Sequence, residues 1–502
     1  VSATTLYGNG ANITGIALTI APLNYNPAVF SQSSHIAKAS GIGLTFNQGV
    51  KAGSGNVTLS LANAGVAGTV VENFGVGNSV TYSNGDSILI TPTADLSVGQ
   101  NYHLSYPSGA FTNIGGDVSY VGTAYTFQAR NYVYQLWSWG NNTYGNLGQN
   151  SEVKYSSPVQ IPGNWSGMGK WNLSSASYTV TMAFRNDGTL WAWGSGAYGA
   201  LAQNNRTQYS SPVQIPGTTW AKSHVGKLHA FGTKTDGTFW SWGRNNGGML
   251  GDNSVTYRSS PVQIPGTTWP TGNTETISSA GNNGFAIKTD GTLWAWGDNV
   301  SGHLGANLPN NTQYSSPIQI PGTNWKSVAG GNNSASAVKT DGTLWVWGRN
   351  RQGSLGLNQA SDNVYYSSPV QVPGTNWAAS KISGWNAMAT KTDGTLFVWG
   401  RNERGELGQN TVTYHSSPVQ IPGTTWPTVG SKMGISENCC MTAVKTDGTL
   451  WSWGYNGGRG TTGIPGIAHN AKISSPTQVG SGTNWDSVVT QAGRSTFAVE
   501  QV

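Results

Sequence analysis

Charged residues are scarce in this sequence of 502 residues. Asp, Glu, Lys and Arg make up 9% of it, against roughly a quarter in soluble domains. The net charge of +6 includes no dense run of Lys or Arg, which argues against a nucleic-acid-binding protein. No apolar run reaches the length of about 18 residues that a membrane-spanning helix needs. Helical periodicity is also missing, so the composition predicts an all-β protein.

Cysteine is almost absent. The sequence holds two cysteines, and they are adjacent, Cys439 and Cys440. A disulfide framework is therefore excluded, and stability must come from packing. We expect two small buried residues on a strand, with a strained vicinal disulfide as the alternative. The chain begins at Val1, which fits a processed product, a secreted mature form or a fragment.

Glycine and tryptophan are abundant, with counts of 70 and 22, and most tryptophans lie in a repeat. Its first marker is W-x-W-G, or F-V-W-G in one copy. The second Trp of this marker recurs at Trp139, Trp193, Trp242, Trp296, Trp347, Trp399 and Trp453. The motif S-S-P-[VIT]-Q-[IV] and a lone Trp behind it recur in step. A period of about 50 residues is typical of a propeller or a solenoid.

Each repeat is predicted to form four short strands. S-S-P-V-Q-I is the first, residues such as Lys326–Val328 the second and Ala335–Lys339 the third. An Asp-Gly pair, the kind favoured in tight hairpins, leads to the fourth strand, T-L-W-x-W. The chain ends with a third strand that lacks a fourth, and the repeats begin with a fourth strand that lacks a third. Pairing these two would close a seven-bladed ring without exposed edges.

These motifs resemble the regulator-of-chromosome-condensation repeat family. The resemblance covers about residues 132–502 and rests on D-G-T-L-W-x-W-G followed by a glycine loop such as "GRNRQGSLG" (348–356). It implies a seven-bladed β-propeller. Its relatives include a nucleotide exchange factor on chromatin, a secreted β-lactamase inhibitor and many surface and phage proteins, so the resemblance implies no single function.

The N-terminal part of the sequence, before the first W-x-W-G, lacks the repeat. Short alternating runs separated by Gly, Asn and Ser predict an antiparallel β-sandwich over residues 20–130; they are Ile42–Phe46, Val57–Leu61, Ser87–Thr91, Tyr102–Tyr106 and Tyr125–Gln128. The stretch "ILITPTADLSVGQNYHLSYPSGAFTNIGG" resembles a bacterial immunoglobulin-like module. The opening "VSATTLYGNGANITGIA" resembles a segment of tailed-phage fibre proteins, especially marine ones, although Ile13 stands where Leu is usual. We therefore predict an attachment segment (1–19), an immunoglobulin-like domain (20–130) and a propeller (131–502).

Catalytic motifs are missing. The seven histidines form no metal-binding spacing, so we expect solvated or satisfied structural residues; they are His35, His103, His224, His229, His303, His415 and His469. The repeated Asp of Asp-Gly suits turn geometry, whereas acid–base catalysis needs groups in different environments. No nucleophile motif or phosphate loop occurs. The sequence thus predicts no enzyme, no cofactor and no metal site.

Candidate binding residues lie in the loops after W-x-W-G. Strand alternation places these loops and the connections between second and third strands on one face. The segment from Gly to S-S-P is longer in the repeats that start at Gly297, Gly348 and Gly454 than in the other four. Arg and Tyr there suit an acidic glycan or a protein partner, and two tryptophans outside the repeat pattern join them; solvated loop residues are the alternative. The candidates are Arg244, Arg349, Arg351, Arg401, Arg404, Arg459, Tyr144, Tyr198, Tyr455, Trp171 and Trp385.

These patterns together predict a virion structural protein of a tailed phage. In this interpretation the protein is a fibre, spike or capsid-surface decoration, joined to other virion proteins through its N-terminal segment. Its propeller loops would bind a host-surface glycan or protein, and fibre-like relatives imply a homotrimer. A secreted bacterial adhesin or inhibitor-like module is the main alternative, and a glycan-active enzyme the weaker one.

Overall fold

The computed structural model describes most of the chain. The described residues are 22–26, 42–46, 50–63, 66–83, 87–94, 96, 100–114, 116, 119, 125–128, 134–166, 179–185, 187–271, 275–359, 364–436, 440–457, 462–464, 467–468, 470–490 and 495–501. Within these ranges, no helical segment combines the length and apolarity that crossing a membrane would require. The predicted attachment segment (1–19) lies outside them.

The chain divides into two compact units, residues 1–132 and 133–502. The strands of the first unit are β1 (Pro22–Asn26), β2 (Ile42–Phe46), β3 (Val50–Ala52), β4 (Asn56–Asn63), β5 (Val66–Gly75), β6 (Val80–Ser83), β7 (Ser87–Ile90), β8 (Asn101–Ser105), β9 (Phe111–Asn113) and β10 (Tyr125–Gln128). They form two four-stranded sheets, ordered β1-β2-β7-β6 and β10-β8-β4-β5, and the pair β3-β9. The five predicted strand positions are confirmed.

The two four-stranded sheets of the first unit share one core. Leu44 of β2 and Ile88 of β7 are buried in the same cluster as Leu59 of β4 and Leu104 of β8. Alternate residues of β2, β4, β7 and β8 face this cluster, as the period of two requires. Phe111 of β9 joins it and contacts the ring of Phe46, with centroids 5.5 Å apart. The immunoglobulin-like assignment of this unit stays a prediction.

The second unit is built from short antiparallel strands. They are β11 (Tyr134–Gly140), β12 (Tyr155–Trp165), β13 (Val180–Phe184), β14 (Leu190–Gly194), β15 (Tyr209–Gln214), β16 (Trp220–Val225), β17 (His229–Lys234), β18 (Phe239–Gly243), β19 (Arg258–Ile264), β20 (Ile277–Ala280), β21 (Asn283–Ile287), β22 (Leu293–Asn299), β23 (Thr312–Ile320), β24 (Trp325–Gly330), β25 (Ser334–Lys339), β26 (Leu344–Arg349), β27 (Tyr365–Gln371), β28 (Trp377–Ile382), β29 (Asn386–Lys391), β30 (Leu396–Gly400), β31 (His415–Ile421), β32 (Met433–Ile435), β33 (Cys440–Val444), β34 (Leu450–Tyr455), β35 (Lys472–Gln478), β36 (Trp485–Thr490) and β37 (Ser495–Gln501). Among the described residues of this unit, three single-turn 3-10 helices lie at Ala197–Gly199, Arg351–Gly353 and Gly430–Lys432.

These strands form repeated sheets, which we call blades 1 to 7 in chain order. Blade 1 is β12-β11-β37-β36, blade 2 is β13-β14-β15, and blades 3 to 7 are β16–β19, β20–β23, β24–β27, β28–β31 and β32–β35. Strands β16, β20, β24, β28, β32 and β36 contact one another in that order from blade to blade, so they are the innermost strands. The S-S-P strands lie at the opposite edge of each sheet.

Blade 1 combines the two ends of the second unit. β11 pairs with β37 over seven residue pairs, from Tyr134↔Gln501 to Gly140↔Ser495. β37 therefore supplies the third strand of the repeat, which the sequence immediately before β11 lacks.

The second Trp of each W-x-W-G joins a blade to the preceding one. Trp347 is fully buried, and its Nε1 donates to the His303 carbonyl of blade 4 at 3.0 Å. Gly305 lies against the indole with φ +71°, and a Cβ there would come within 2.6 Å of Nε1. Glycine alone adopts this dihedral readily and has no Cβ to clash with the indole. The glycine loop of one blade and the W-x-W strand of the next therefore form one interblade contact. Burying such an indole contributes on the order of 4–5 kcal/mol gross.

Only one of the two cysteines lies in the described part. Cys440, the first residue of β33, is 1% exposed. This agrees with the expected small buried strand residue; Cys439 lies outside the described residues.

Candidate partner-binding face

The two ends of the blade strands form two distinct edges. In blade 5, Asp341-Gly342 joins β25 to β26, while residues 350–364 connect β26 to β27 at the opposite end. We call the edge with the Asp-Gly turns the turn face. The loop face comprises the connections that lead from W-x-W-G to the next S-S-P strand and those between the second and third strands of each repeat. The strand ends beside these connections also belong to it.

The turn face is held by the motif D-G-T-L-W. The Asp341 carboxylate accepts hydrogen bonds from the Thr343 amide (2.9 Å) and hydroxyl (2.6 Å). The Thr343 hydroxyl in turn accepts from Trp345 Nε1 at 2.8 Å. The bond from the Thr343 side chain is the main reason that the pKa of Asp341 lies below its usual value. This confirms the prediction that the repeated Asp serves turn geometry.

A lysine stacks on tryptophan at the same edge of several blades. Lys339 Nζ lies 4.7 Å from the Trp325 ring centroid and 4.6 Å from that of Trp345. Equivalent pairs of contacts are made by Arg185, Lys234, Lys288, Lys391 and Lys445. Because the contact recurs with the repeat, it belongs to the scaffold.

A cluster of aromatic and charged side chains lies on the loop face between blades 5 and 6. The Arg351 guanidinium carbon lies 4.0 Å from the Trp385 ring centroid, and that of Arg401 lies 5.1 Å from it. Arg351 and Trp385 are half-buried, whereas Arg401 is 8% exposed. Trp385 thus serves as a platform for guanidinium groups, and Arg351 is the more accessible of the two.

Arg401 is tied into the cluster by acidic neighbours. Its Nη2 lies 2.8 Å from Glu403 Oε2, and its Nε lies 4.0 Å from Glu406 Oε1. Glu403 also accepts a hydrogen bond of 2.5 Å from the Tyr414 hydroxyl, and this bond is the main factor lowering the pKa of Glu403. Burial, together with Glu403, raises the pKa of Tyr414 to about 12.

Glu406 is the buried acid of the cluster. Its side chain is 2% exposed, and its carboxylate accepts from the Arg404 amide at 2.7 Å. Burial raises the pKa of Glu406 above its usual value despite the nearby arginines.

Other predicted residues form similar pairs elsewhere on the loop face. Arg404 lies 4.5 Å from the Tyr455 ring centroid, and Arg244 lies 5.6 Å from that of Tyr198. Each pair joins neighbouring blades. Arg349 lies 5.8 Å from Tyr365 within blade 5, and Tyr144 is 42% exposed in blade 1. Arg459 and Trp171 lie outside the described residues.

Sequence reasoning missed several aromatic members of this face. Tyr257 contacts Tyr198 edge to face with centroids 5.1 Å apart, and Tyr365 and Tyr414 take part in the contacts given above. A tyrosine stands within two residues before S-S-P in six of the seven repeats. That recurrence was the available signal.

Three of the histidines are enclosed by the fold. His224, His229 and His303 are 3%, 0% and 3% exposed. Burial lowers the pKa of His229 and of His303 to about 4, so both are neutral at pH 7. These three are therefore structural residues and not solvated ones. Across the described ranges no three His, Cys, Asp or Glu side chains group in a way that could hold a metal ion.

Comparison with known proteins identifies the repeat. Five segments match the family model of the regulator of chromosome condensation (RCC1) repeat: residues 135–184, 187–231, 290–338, 341–384 and 393–428. The ultraviolet-B receptor UVR8 of Arabidopsis thaliana is 25% identical over 351 residues, which are 68% of this chain and 65% of the plant protein. A secretion-regulating guanine nucleotide exchange factor of Mus musculus is 34% identical over 139 residues, 25% of this chain and 29% of the mouse protein. The chain thus spans less than two thirds of the length of either relative.

Solved structures match over a larger share of their length. Yeast RCC1 (Prp20), crystallised with Kap60, has a TM-score of 0.60 and 16% identity, covering 74% of this chain and 89% of the yeast protein. Human WBSCR16 has a TM-score of 0.60 and 19% identity, covering 74% of this chain and 99% of the human protein. At these identities the likeness concerns the fold alone. Five segments of the second unit thus match the RCC1 repeat model, and the unit shares the β-propeller fold of these solved structures.

Proposed function

We propose that this protein is a non-enzymatic binding protein whose loop face recognises a partner that carries anionic groups. The seven blades form a closed ring through the β11–β37 pairing, and the first unit serves as an immunoglobulin-like stalk. The partner is an acidic glycan or a protein of a host surface. The observation that carries this proposal is the stacking of Arg351 on Trp385, with Arg401 fixed beside them.

The stacked arginines suit anion recognition on physical grounds. A guanidinium presents its N–H groups in a planar fork that matches carboxylate, sulfate or phosphate oxygens. An aromatic platform restricts the long side chain before the partner arrives, so less conformational entropy is lost on binding. Arg351, Arg404 and Arg244 all have such a platform from a neighbouring blade.

Two features favour binding over catalysis. The carboxylates that recur in the repeat are engaged by threonine at the turns, as at Asp341. The two sequence relatives described above are a receptor and a guanine nucleotide exchange factor.

We further propose that the protein belongs to the virion of a tailed phage, as a fibre, spike or capsid-surface decoration. The support is the resemblance of residues 1–17 to a segment of phage fibre proteins. In this arrangement the N-terminal segment contacts other virion proteins, and the propeller contacts the host. Mass spectrometry of purified virions and of host secretions tests the placement. Recovery from secretions alone would favour a bacterial adhesin instead.

The loop face can be tested with a matched pair of variants. Arg351→Ala removes a cation stacked on Trp385 from the loop face, and Lys339→Ala removes one stacked on two tryptophans from the turn face. On an array of acidic glycans and host envelope fractions, Arg351→Ala should bind at least about tenfold more weakly than the wild type. Lys339→Ala should bind as the wild type does. Unchanged binding by Arg351→Ala would contradict the proposal.

A further inference from the structure

The connection that follows β18 in blade 3 contains an Asn-Gly pair, Asn246-Gly247. The Gly248 amide donates to the Asn245 carbonyl at 3.2 Å, so the pair forms the two central residues of a tight turn. Asn246 is exposed on the loop face. Among the described residues, none makes a hydrogen bond to the Asn246 carboxamide or to the Gly247 amide. Both groups are therefore available for reaction.

The residue before the pair is held by the protein. Asn245 is fully buried, and its Nδ2 donates to the Ser254 and Thr256 carbonyls at 3.0 and 3.1 Å. Its Oδ1 accepts from the Leu250 amide at 2.9 Å. These bonds anchor the start of the turn, whereas the side chain of Asn246 can rotate toward the peptide bond that follows it.

Glycine at position 247 distinguishes this turn from its equivalents. In blade 6 the same position holds Arg404, whose guanidinium carbon lies 4.5 Å from the Tyr455 ring centroid of the next blade. In blade 3 the carboxylate of Asp298 occupies that space. Asn282 Nδ2 donates to Asp298 Oδ2 at 2.8 Å, and a Cβ at Gly247 would clash with Asp298 Oδ1. The neighbouring blade therefore favours glycine here, and a residue without a Cβ hinders its own backbone nitrogen least.

We propose that Asn246 is a site of spontaneous covalent modification, in which its carboxamide becomes a carboxylate through a cyclic imide. The Gly247 nitrogen attacks Asn246 Cγ, and the carboxamide nitrogen leaves as ammonia with the proton that the backbone amide loses. Water then opens the five-membered imide at either carbonyl. The products are aspartate and isoaspartate, whose main chain runs through the β-carbon. Because the reacting groups belong to adjacent residues, the attack is intramolecular and needs no catalyst from outside.

Two other Asn-Gly pairs of the second unit lack these conditions. Asn456 is 2% exposed; its Nδ2 donates to the Ala468 carbonyl at 3.1 Å, and its Oδ1 accepts from the Thr462 hydroxyl at 2.8 Å. Asn283 is fully buried in β21, which pairs with β20 on one side and β22 on the other. Neither side chain can reach the following amide without breaking these contacts. They are controls within the same chain.

Peptide mapping of the full chain tests the proposal. The folded protein is incubated at mildly alkaline pH, where the backbone nitrogen is more readily deprotonated, and is digested at acidic pH. Mass spectrometry then follows the replacement of NH₂ by OH in each peptide, and electron-transfer fragmentation detects isoaspartate. Asn246 should convert at least about tenfold faster than Asn283 or Asn456. No conversion at Asn246, or equal conversion at the three sites, would overturn the proposal.

The same measurement in urea separates the fold from the local sequence. In the unfolded chain each of the three asparagines precedes a glycine that is free of tertiary contacts, so their rates should become comparable. An advantage of Asn246 that persisted unchanged in urea would trace it to neighbouring residues in the sequence and contradict the role assigned to the turn. The remaining two Asn-Gly pairs, Asn9-Gly10 and Asn84-Gly85, lie outside the described residues and are followed as separate peptides.

Discussion

The turn face and the loop face belong to the same blades, but their side-chain contacts differ in how regularly they recur. At the turn face, the same contacts recur from blade to blade: an Asp–Thr hydrogen bond, a Trp–Thr hydrogen bond and a cation stacked on Trp. At the loop face, the cation and the ring differ at each place, as Arg351 on Trp385 and Arg404 on Tyr455 illustrate.

This difference separates scaffold from recognition. The residues of a contact that every blade needs recur in each repeat, because each blade packs against its neighbours in the same way. A contact made once is free to follow the shape and charge of a partner. Substitutions at repeated contacts should therefore act on stability, and those at unique contacts on binding.

The largest contrast is expected between two tryptophans. Trp347→Ala removes a fully buried indole that joins blades 4 and 5, and should lower the free energy of unfolding by about 3–5 kcal/mol. Trp385→Ala removes a half-buried loop-face ring and should cost less than about 2 kcal/mol. Urea unfolding followed by tryptophan fluorescence and circular dichroism measures both. Equal losses would show that Trp385 is as structural as the repeat tryptophans.

The next largest effect is expected from substitutions of the turn carboxylates. Asp341→Ala leaves the Thr343 amide and hydroxyl without their acceptor, and should cost about 1–2 kcal/mol at pH 7. Because the folded-state pKa of Asp341 lies below the unfolded value, this stabilisation is present above about pH 4 and is lost as the pH falls through the folded pKa. Asp290→Ala, at the equivalent turn of blade 4, should behave alike. A loss at only one of the two turns would break the equivalence of the repeats.

The pH dependence of stability should have the opposite sign for Glu406, an acid of the loop face. The folded-state pKa of Glu406 is raised, so stability is fully present below its unfolded pKa and declines as the pH rises through the folded pKa. Glu406→Gln keeps an acceptor for the Arg404 amide and should stabilise the protein by about 0.5–1 kcal/mol at pH 7. The gain should vanish below about pH 4. Chemical denaturation at several pH values tests this, and destabilisation at pH 7 would show that the ionised carboxylate is needed for the fold.

The smallest effect is expected where one repeat departs from the rest. Phe397 stands where other blades have the first Trp of W-x-W, and Lys391 stacks on it at 5.1 Å. Phe397→Trp should add a donor to the Thr395 hydroxyl, as Trp345 provides for Thr343, and a stronger platform for Lys391. We expect a gain of about 0.5 kcal/mol, measurable as a rise in Tm. A loss would mean that blade 6 has packed around the smaller ring.

The scaffold was largely predictable from the sequence because its rules are local. Asp341-Gly342 specifies a hairpin, and Trp345 and Trp347, two positions apart, point to the same side of a strand. The same hairpin and strand then recur in each repeat. The strand bounds confirm this, with the predicted third strand Ala335–Lys339 observed as Ser334–Lys339.

The contacts between blades were harder to predict. Arg351 and Trp385 belong to different repeats, and no spacing rule relates them, because their meeting depends on how blades 5 and 6 pack. The same holds for Lys381 and Glu275, which lie in blade 6 and just before β20 of blade 4. Arg401 illustrates the limit in another way: its loop position suggested an accessible side chain, but Glu403, Glu406 and Trp385 enclose it.

The pairing of Tyr134 with Gln501 sets an order of events during synthesis. The first strand of the second unit leaves the ribosome long before its partner, by an interval of roughly 20–70 s at ordinary elongation rates. Throughout that time blade 1 lacks its two inner strands, and β11 presents an unpaired edge. β37 therefore completes blade 1: a protein that lacks this strand would keep that edge exposed and should aggregate.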